Sequence, residues 1–497
     1  MNKTIYILLT VGIFLLAAFF RFYGVNWDAN QHLHPDERFL TMVTSAISWP
    51  KSITEYLDAA ISPLNPHNKG FSFFVYGTFP IFFTKWVSEY LGKTDYNNLT
   101  LIGRQLSALF DLGTVLLVFL IAKQISTSGF LISKKPQSLK SHFPLLAMFF
   151  YTAMVLPIQL SHFYAVDTYL TFFTTLSFYL LIKIIENDAK HLGVRHIIRS
   201  ICLGIALGLA AASKISTLLF LPIIALGLIF FLIKKRNIVL FIIYFLLCII
   251  GFFFTFRLTQ PYLFVSPNVF DITLNPKVLD NWKQLKSFDD PSGGFPPSVQ
   301  WITTKTYFFP LKNMVLWGLG LPLGLIAILA TAHQVLRITY HVLRKNVYVI
   351  LNTYYLIPSL SVLWILLLFV YQGGQFVKAL RYFYPIYPFL AILSGYFIVE
   401  CIEKVKQKFH WHSSICLLVY LFIGLLVFMY PLSFLSIYSR PHSRITASEW
   451  IYQHILPGAV LSSEHWDDGL PLSLPQDGYI NQKYKVVEFP LYYPDEK

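Results

Sequence analysis

Charge is scarce in this sequence. Only 13% of its 497 residues are Asp, Glu, Lys or Arg, against about 25% in an ordinary soluble domain. That shortage excludes a disordered chain. Together with 55% hydrophobic residues and a mean hydropathy of +0.56, it also excludes a soluble globular enzyme. Cysteine is nearly missing, with 4 residues in the chain, so a disulfide scaffold is excluded. Cys202, Cys248, Cys401 and Cys416 fall inside or at the ends of apolar runs, without metal-ligand spacing. Alternating segments of roughly 10 residues are also lacking, which excludes a transmembrane β-barrel. There is no internal repeat of the transporter kind.

What is there is a series of long apolar runs, the mark of an all-α polytopic membrane protein. The run from Lys3 to Phe22 is too long for a signal-peptide core and is followed by no small-residue cleavage site, so it reads as an uncleaved first span. Further spans are expected at 104–122, 144–160, 168–185, 198–213, 215–233, 237–256, 313–335, 348–370, 382–400 and 413–433. That makes about eleven transmembrane helices.

The formal charge of +14 does not point to nucleic acid. Lys and Arg cluster between the apolar runs, as at Lys123, Lys134, Lys135 and Lys140, or at Lys234, Lys235 and Arg236. Such loops face the cytoplasm. The expected topology puts the N-terminus inside and loops 25–103, 161–167, 257–312 and 371–381 outside, together with the tail from 434. It requires that 71–91 does not cross. That segment is aromatic but holds Pro80, Lys85 and Glu89, and reads as a juxtamembrane helix in the outer interface. The segment 36–49 suits the same role, with Phe39, Leu40, Val43, Ala46 and Ile47 on one helical face. The chain thus divides into a transmembrane part, 1–433, and a short extracytoplasmic tail, 434–497, with strand-like 459–461 and 484–489. The turn-rich stretch from Asp289 to Gly294 in the second large outer loop reads either as a lid or as a plain connector.

Ionisable residues gather on the outer side. His34-Pro35-Asp36-Glu37 follows the first span; a Pro before acidic residues is also an ordinary first helical turn. Asp167 lies at the outer end of another span, where it serves as a helix cap or as a functional carboxylate. Lys214 separates two spans with almost no loop, on the side where positive charge is disfavoured, so an anionic ligand would compensate it. Arg257 and Arg381 lie at outer ends too, where snorkelling to lipid headgroups is the alternative. Carboxylates and cations at the outer surface suit transfer of a sugar from a lipid phosphate. The acceptor hydroxyl needs a base, and the departing phosphate needs positive charge.

These residues resemble those of the GT-C membrane glycosyltransferases that use polyprenyl-phosphate sugars. The likeness is to the bacterial family 39 group related to protein O-mannosyltransferases and the lipid A aminoarabinose transferase. It rests on His34-Pro35-Asp36-Glu37, on Arg104-Gln105-Leu106-Ser107-Ala108-Leu109, on the Gly-rich helix ending at Lys214, and on Arg381-Tyr382-Phe383-Tyr384-Pro385.

The resemblance implies a GT-C fold with a long first extracytoplasmic loop. It implies Asp36 as the main catalytic carboxylate, Glu37 as its neighbour and Asp167 as the second acidic residue. Lys214, with Arg257 and Arg381, would hold the donor phosphate, and His34, His162 and Arg104 would line the site. The expected activity is that of an inverting hexosyl- or pentosyltransferase in the cell membrane. Its donor would be a polyprenyl-phosphate sugar and its acceptor a glycan, lipid or protein. The run Glu464-His465-Trp466-Asp467-Asp468-Gly469 also looks like tails in this group, but reads as a solvated turn rather than a metal site. No clear outer Asp-x-Asp is present, so no metal or other cofactor is expected to be obligatory. The competing reading is a transporter or flippase of lipid-linked glycans, which should hold its ionisable residues near the bilayer midplane. A structural membrane protein would not need Asp36, Asp167 and Lys214 to converge. Direct cooperation requires Asp36 and Asp167 within roughly 15 Å, since both must reach one reacting centre.

Overall fold

A computed structural model describes residues 2–127, 137–186, 193–290, 296–344, 353–464, 468–474, 478 and 483–489. Among them, ten helices are long and apolar enough to cross a membrane, or eleven if one bent pair counts as a single span. This is a multi-pass helical membrane protein, as the apolar runs require. The bent pair is α6 (Gln137–Ala153) and α7 (Val155–Ser161), whose axes differ by 57°. Pro157 explains the break, because it has no N–H to give to the carbonyl of Ala153.

The first span, α1 (Lys3–Phe22), leads into three short helices: α2 (Pro35–Ala46), α3 (Ile53–Leu57) and α4 (Thr78–Tyr90). At 13 residues, α4 is about 20 Å long, short of the roughly 30 Å of a bilayer core. The 71–91 segment therefore does not span. On α2 the buried face is Glu37, Leu40, Thr41, Val43 and Thr44, with Ile47 just beyond. Phe39 is half-buried, and Ala46, expected on that face, is exposed. Leu40, Val43 and Ile47 pack with Leu64, Phe74, Ile81, Tyr164 and Tyr262 into a small core of their own.

The bundle continues with α5 (Tyr96–Thr127), then α8 (Val166–Ile185), α9 (Val194–Ser213), α10 (Leu221–Lys235) and α11 (Ile238–Thr259). The 32-residue α5 starts eight residues before the expected span and carries Arg104 about two turns inside its N-terminal end. Helices α9 and α11 approach closely; a β-carbon at Gly204 would overlap the carbonyl oxygen of Cys248. The long connection after α11 contains α12 (Pro276–Ser287) and leads to α13 (Phe308–Asn313). Residues 291–294 of the turn-rich stretch read as a lid or a plain connector lie outside the described residues.

Helix α14 (Leu321–Leu343) begins eight residues later than expected, because Pro322 prevents continuation of the preceding turn. Helices α15 (Thr353–Gly373), α16 (Tyr387–Phe409) and α17 (Ser413–Leu435) complete the spans. The tail holds α18 (Ser443–His454) and two parallel strands, β1 (Val460–Glu464) and β2 (Lys485–Phe489), with Val460 opposite Lys485. It rests on the membrane part: Tyr438 stacks on His162, and Arg38 pairs with Asp468 at 2.8 Å.

Candidate active site

The site is built where the loop between α1 and α5 meets the N-terminal end of α8, the C-terminal end of α9 and the turn before α16. Pro35 opens α2, and His34 caps it by accepting from the Glu37 N–H at 3.3 Å. Asp36 thus sits in the first helical turn with its carboxylate half-buried. Tyr76 donates its hydroxyl to Asp36 Oδ1 at 2.9 Å. Arg381 pairs with Asp36 Oδ2 through Nη1.

Asp167 lies in the first turn of α8, one residue inside the helix; Ala165 takes the cap position. Lys214 Nζ meets Asp167 Oδ1 at 2.8 Å. Lys214 has extended backbone between the end of α9 and a 3-10 turn, Ile215–Phe220. The two ion pairs share a neighbour, the ring of Tyr382. Lys214 Nζ is 4.7 Å from its centroid and Arg381 Cζ is 5.5 Å. Asp36, Arg381, Tyr382, Lys214 and Asp167 therefore form one continuous group.

Glu37 is not part of that group. Its carboxylate is fully buried against Arg104, with Nε to Oε2 at 2.9 Å and Nη2 to Oε1 at 2.5 Å. It also accepts from the backbone N–H of Tyr164 at 2.8 Å. Arg104 reaches Asp28 as well, at 3.0 and 2.8 Å, and lies over the Trp27 ring. Arg104 and Glu37 are thus a buried brace rather than site lining.

Arg257 turns into its own loop, donating to the carbonyls of Pro261, Ser266 and Asn268 at 3.3, 2.5 and 3.1 Å. The structure does not bring it to the carboxylates. His162 is buried between α7 and the tail, with its ring nitrogens 2.7 and 2.8 Å from the carbonyl oxygens of Ile158 and Tyr23. His34 stacks on Phe163 at 4.2 Å, beside the site.

The electrostatics keep these groups in defined states. Burial pushes the His34 imidazole down to about 4, aided by Arg381 and Arg104, so it is neutral near pH 7. Burial disfavours the charged form of Lys214, but Asp167 and Tyr382 outweigh it and its pKa is raised. Burial raises Tyr76, with Tyr382 and Asp167 adding to it, so its hydroxyl remains a donor. Asp28 is lowered: burial opposes its charge, and Arg104 overcomes that.

Tyr76 and Asp28 were not singled out in the sequence. An aromatic run hid Tyr76. Asp28 had one signal, because an Arg such as Arg104 inside an apolar helix needs a counter-charge. Each carboxylate of the group faces an ammonium or a guanidinium rather than a further metal-ligating side chain. Among the described residues no three His, Cys, Asp or Glu side chains cluster as ligands. Asp468 is held by Arg38 and Arg444, while His465 and Asp467 lie outside the described residues.

Comparison with solved structures decides the architecture. The archaeal oligosaccharyltransferase AglB from Archaeoglobus fulgidus, in complex with an inhibitory peptide and a dolichol-phosphate, superimposes with a TM-score of 0.56 at 14% identity. The match covers 99% of this chain and 65% of that one. The chain has the GT-C fold.

A second structure of the Archaeoglobus fulgidus enzyme, tethered to an acceptor peptide, gives a TM-score of 0.58 at 13% identity, covering 99% of this chain and 64% of that one. This GT-C chain therefore spans just under two thirds of the length of those enzymes. ArnT from Cupriavidus metallidurans bound to undecaprenyl phosphate matches with a TM-score of 0.46 at 14% identity, over 98% of this chain and 86% of that one. Residues 77–261 match the family model described as dolichyl-phosphate-mannose-protein mannosyltransferase. That segment runs from the start of α4 to the end of α11 and includes Asp167 and Lys214. No curated protein matches the sequence. The resemblance to GT-C glycosyltransferases drawn from the sequence holds.

Proposed function

We propose that this GT-C chain is an inverting glycosyltransferase. It moves a hexose or pentose from a polyprenyl-phosphate donor to an acceptor hydroxyl at the extracytoplasmic face of the cell membrane. One observation carries the reading: Asp36 with Arg381, and Asp167 with Lys214, meet across the single ring of Tyr382. The fold and the match of residues 77–261 support it.

A hydroxyl is a weak nucleophile, and a placed carboxylate accelerates its attack by about 10²–10⁴-fold. Asp36 takes the hydroxyl proton, with one oxygen oriented by Tyr76. The acceptor oxygen forms the new bond to the anomeric carbon as the carbon–oxygen bond to phosphate breaks. The bonding pair leaves on the phosphate, where Arg381 and Lys214 stabilise it. A single displacement of this kind inverts the anomeric carbon.

The ion pairs also set an order of events. The donor phosphate competes with Asp36 for Arg381 and with Asp167 for Lys214. Donor binding thus frees Asp36 to act as a base and Asp167 to orient acceptor or donor. A lipid-phosphate carrier accords with the dolichol-phosphate bound to AglB; here the acceptor is a glycan, lipid or protein. The N-terminus is cytoplasmic, and the site and the tail are outside, because the basic clusters fall on alternate loops. A flippase would hold its ionisable residues at mid-membrane, whereas this group lies at helix ends.

The test uses the purified protein in lipid with a panel of polyprenyl-phosphate sugars, followed by mass spectrometry. Wild type should consume one donor, and Asp36→Asn should not. Folded wild type that leaves every donor of a broad panel intact, with acceptors supplied, would overturn the reading.

A further inference from the structure

Helix α5 carries two fully buried charged residues, Arg104 and Asp111. They are seven residues apart, close to two turns, and so share one face. Arg104 holds the start of α2 through Glu37. Asp111 holds something else. Its Oδ2 pairs with Arg21 of α1, and its Oδ1 accepts the hydroxyls of Tyr151 of α6 at 2.5 Å and of Tyr384. The two hydroxyl oxygens are 3.1 Å apart.

Tyr384 belongs to the 3-10 turn Leu380–Ile386, the same turn that presents Arg381 and Tyr382 to the site. Residues three apart in such a turn line up on one side. Arg381 and Tyr384 therefore issue together, the first to Asp36 and the second to Asp111. The far end of the turn is pinned by Trp364, whose Nε1 donates to the Pro385 carbonyl at 3.1 Å.

A buried carboxylate that gathers an arginine and two tyrosines inside apolar helices is costly and is a functional candidate by default. From this juxtaposition we infer that Asp111 and Tyr384 are positioning residues for the phosphate-binding wall. On this view α5 sets the spacing of the site, with Arg104 fixing the Asp36 wall and Asp111, through Tyr384, fixing the Arg381–Tyr382 wall. The inference rests on the glycosyltransferase reading for its ligand but not for its geometry.

The test compares two conservative variants that each remove one hydroxyl from the same oxygen of Asp111. Tyr384→Phe releases the turn; Tyr151→Phe removes a bond to the same oxygen from α6 instead. With undecaprenyl phosphate as the probe, and the protein in lipid, Tyr384→Phe should weaken binding by about tenfold. Tyr151→Phe should leave it within about twofold of wild type. Hydrogen exchange over residues 380–386, which needs no ligand, should rise in Tyr384→Phe and not in Tyr151→Phe. Equal effects of the two variants on exchange, or no effect of Tyr384→Phe, would overturn the positioning role. Wild type that binds no polyprenyl phosphate while the exchange contrast persists would overturn the donor assignment and leave the positioning role standing.

Discussion

Asp36 and Glu37 are adjacent in the chain and are held by different partners. Glu37 is sealed onto Arg104, and Asp36 is half-buried against Arg381 and Tyr76. Their amide variants should therefore fail in different ways. Asp36→Asn should keep the thermal stability of wild type and lower turnover by about a thousandfold, the scale of a lost general base. Glu37→Gln should lose about 3 kcal/mol of stability, because Arg104 keeps only Asp28 as a buried counter-charge. Parallel melting curves and transfer assays on the two variants check this.

The pairing of carboxylates with cations predicts an inverse effect on binding. Asp36→Asn removes the carboxylate that competes with phosphate for Arg381, so it should bind undecaprenyl phosphate severalfold more tightly while remaining inactive. Lys214→Gln should bind it more weakly and lower turnover by about 10²–10³-fold, as expected for loss of one charge-stabilising donor. Titration of both variants by native mass spectrometry would decide. Weaker binding by Asp36→Asn would argue against competition.

Gly77 joins the two halves of the site. It follows Tyr76, and its N–H donates to the carbonyl of Ser213 at 3.1 Å, one residue before Lys214. A β-carbon there would overlap the carbonyl oxygen of Ala212. Gly77→Ala should push the first loop off the end of α9 and cost about 1–3 kcal/mol, as overpacking does. Turnover should fall as well, since Tyr76–Asp36 and Lys214–Asp167 lose their registry. A variant with wild-type melting and turnover would show that the contact is slack.

His34 predicts a pH effect on stability. Its folded pKa of about 4 lies below the usual 6.5, chiefly through burial. Between these values the unfolded chain binds the proton and the folded one does not, so stability falls as pH drops from about 6.5 to about 4. His34→Gln, which cannot titrate, should show a shallower loss over that window. Melting temperatures at a series of pH values, with both proteins in one detergent, provide the check.

The spans were legible in the sequence because a bilayer demands about 20 apolar residues in a row. The exclusion of 71–91 was legible because charge sidedness constrains every later loop. That acidic and basic residues gather at one end followed from the same counting. The tertiary structure alone decided the partners. Arg104, sixty-seven positions from Glu37, separates that carboxylate from Asp36, and Arg381 comes back from more than three hundred positions away to meet Asp36. Arg257 looked equivalent to Arg381 in composition and location, yet it folds into its own loop. Tyr76 carries no local pattern that marks it; Asp111 stands out as a charge inside an apolar run and Asp28 only as a counter-charge for Arg104, and nothing along the chain names the partner of either. Hydropathy is a property of a segment and can be read along the chain. An ion pair is a property of two segments, and only packing determines which charge meets which.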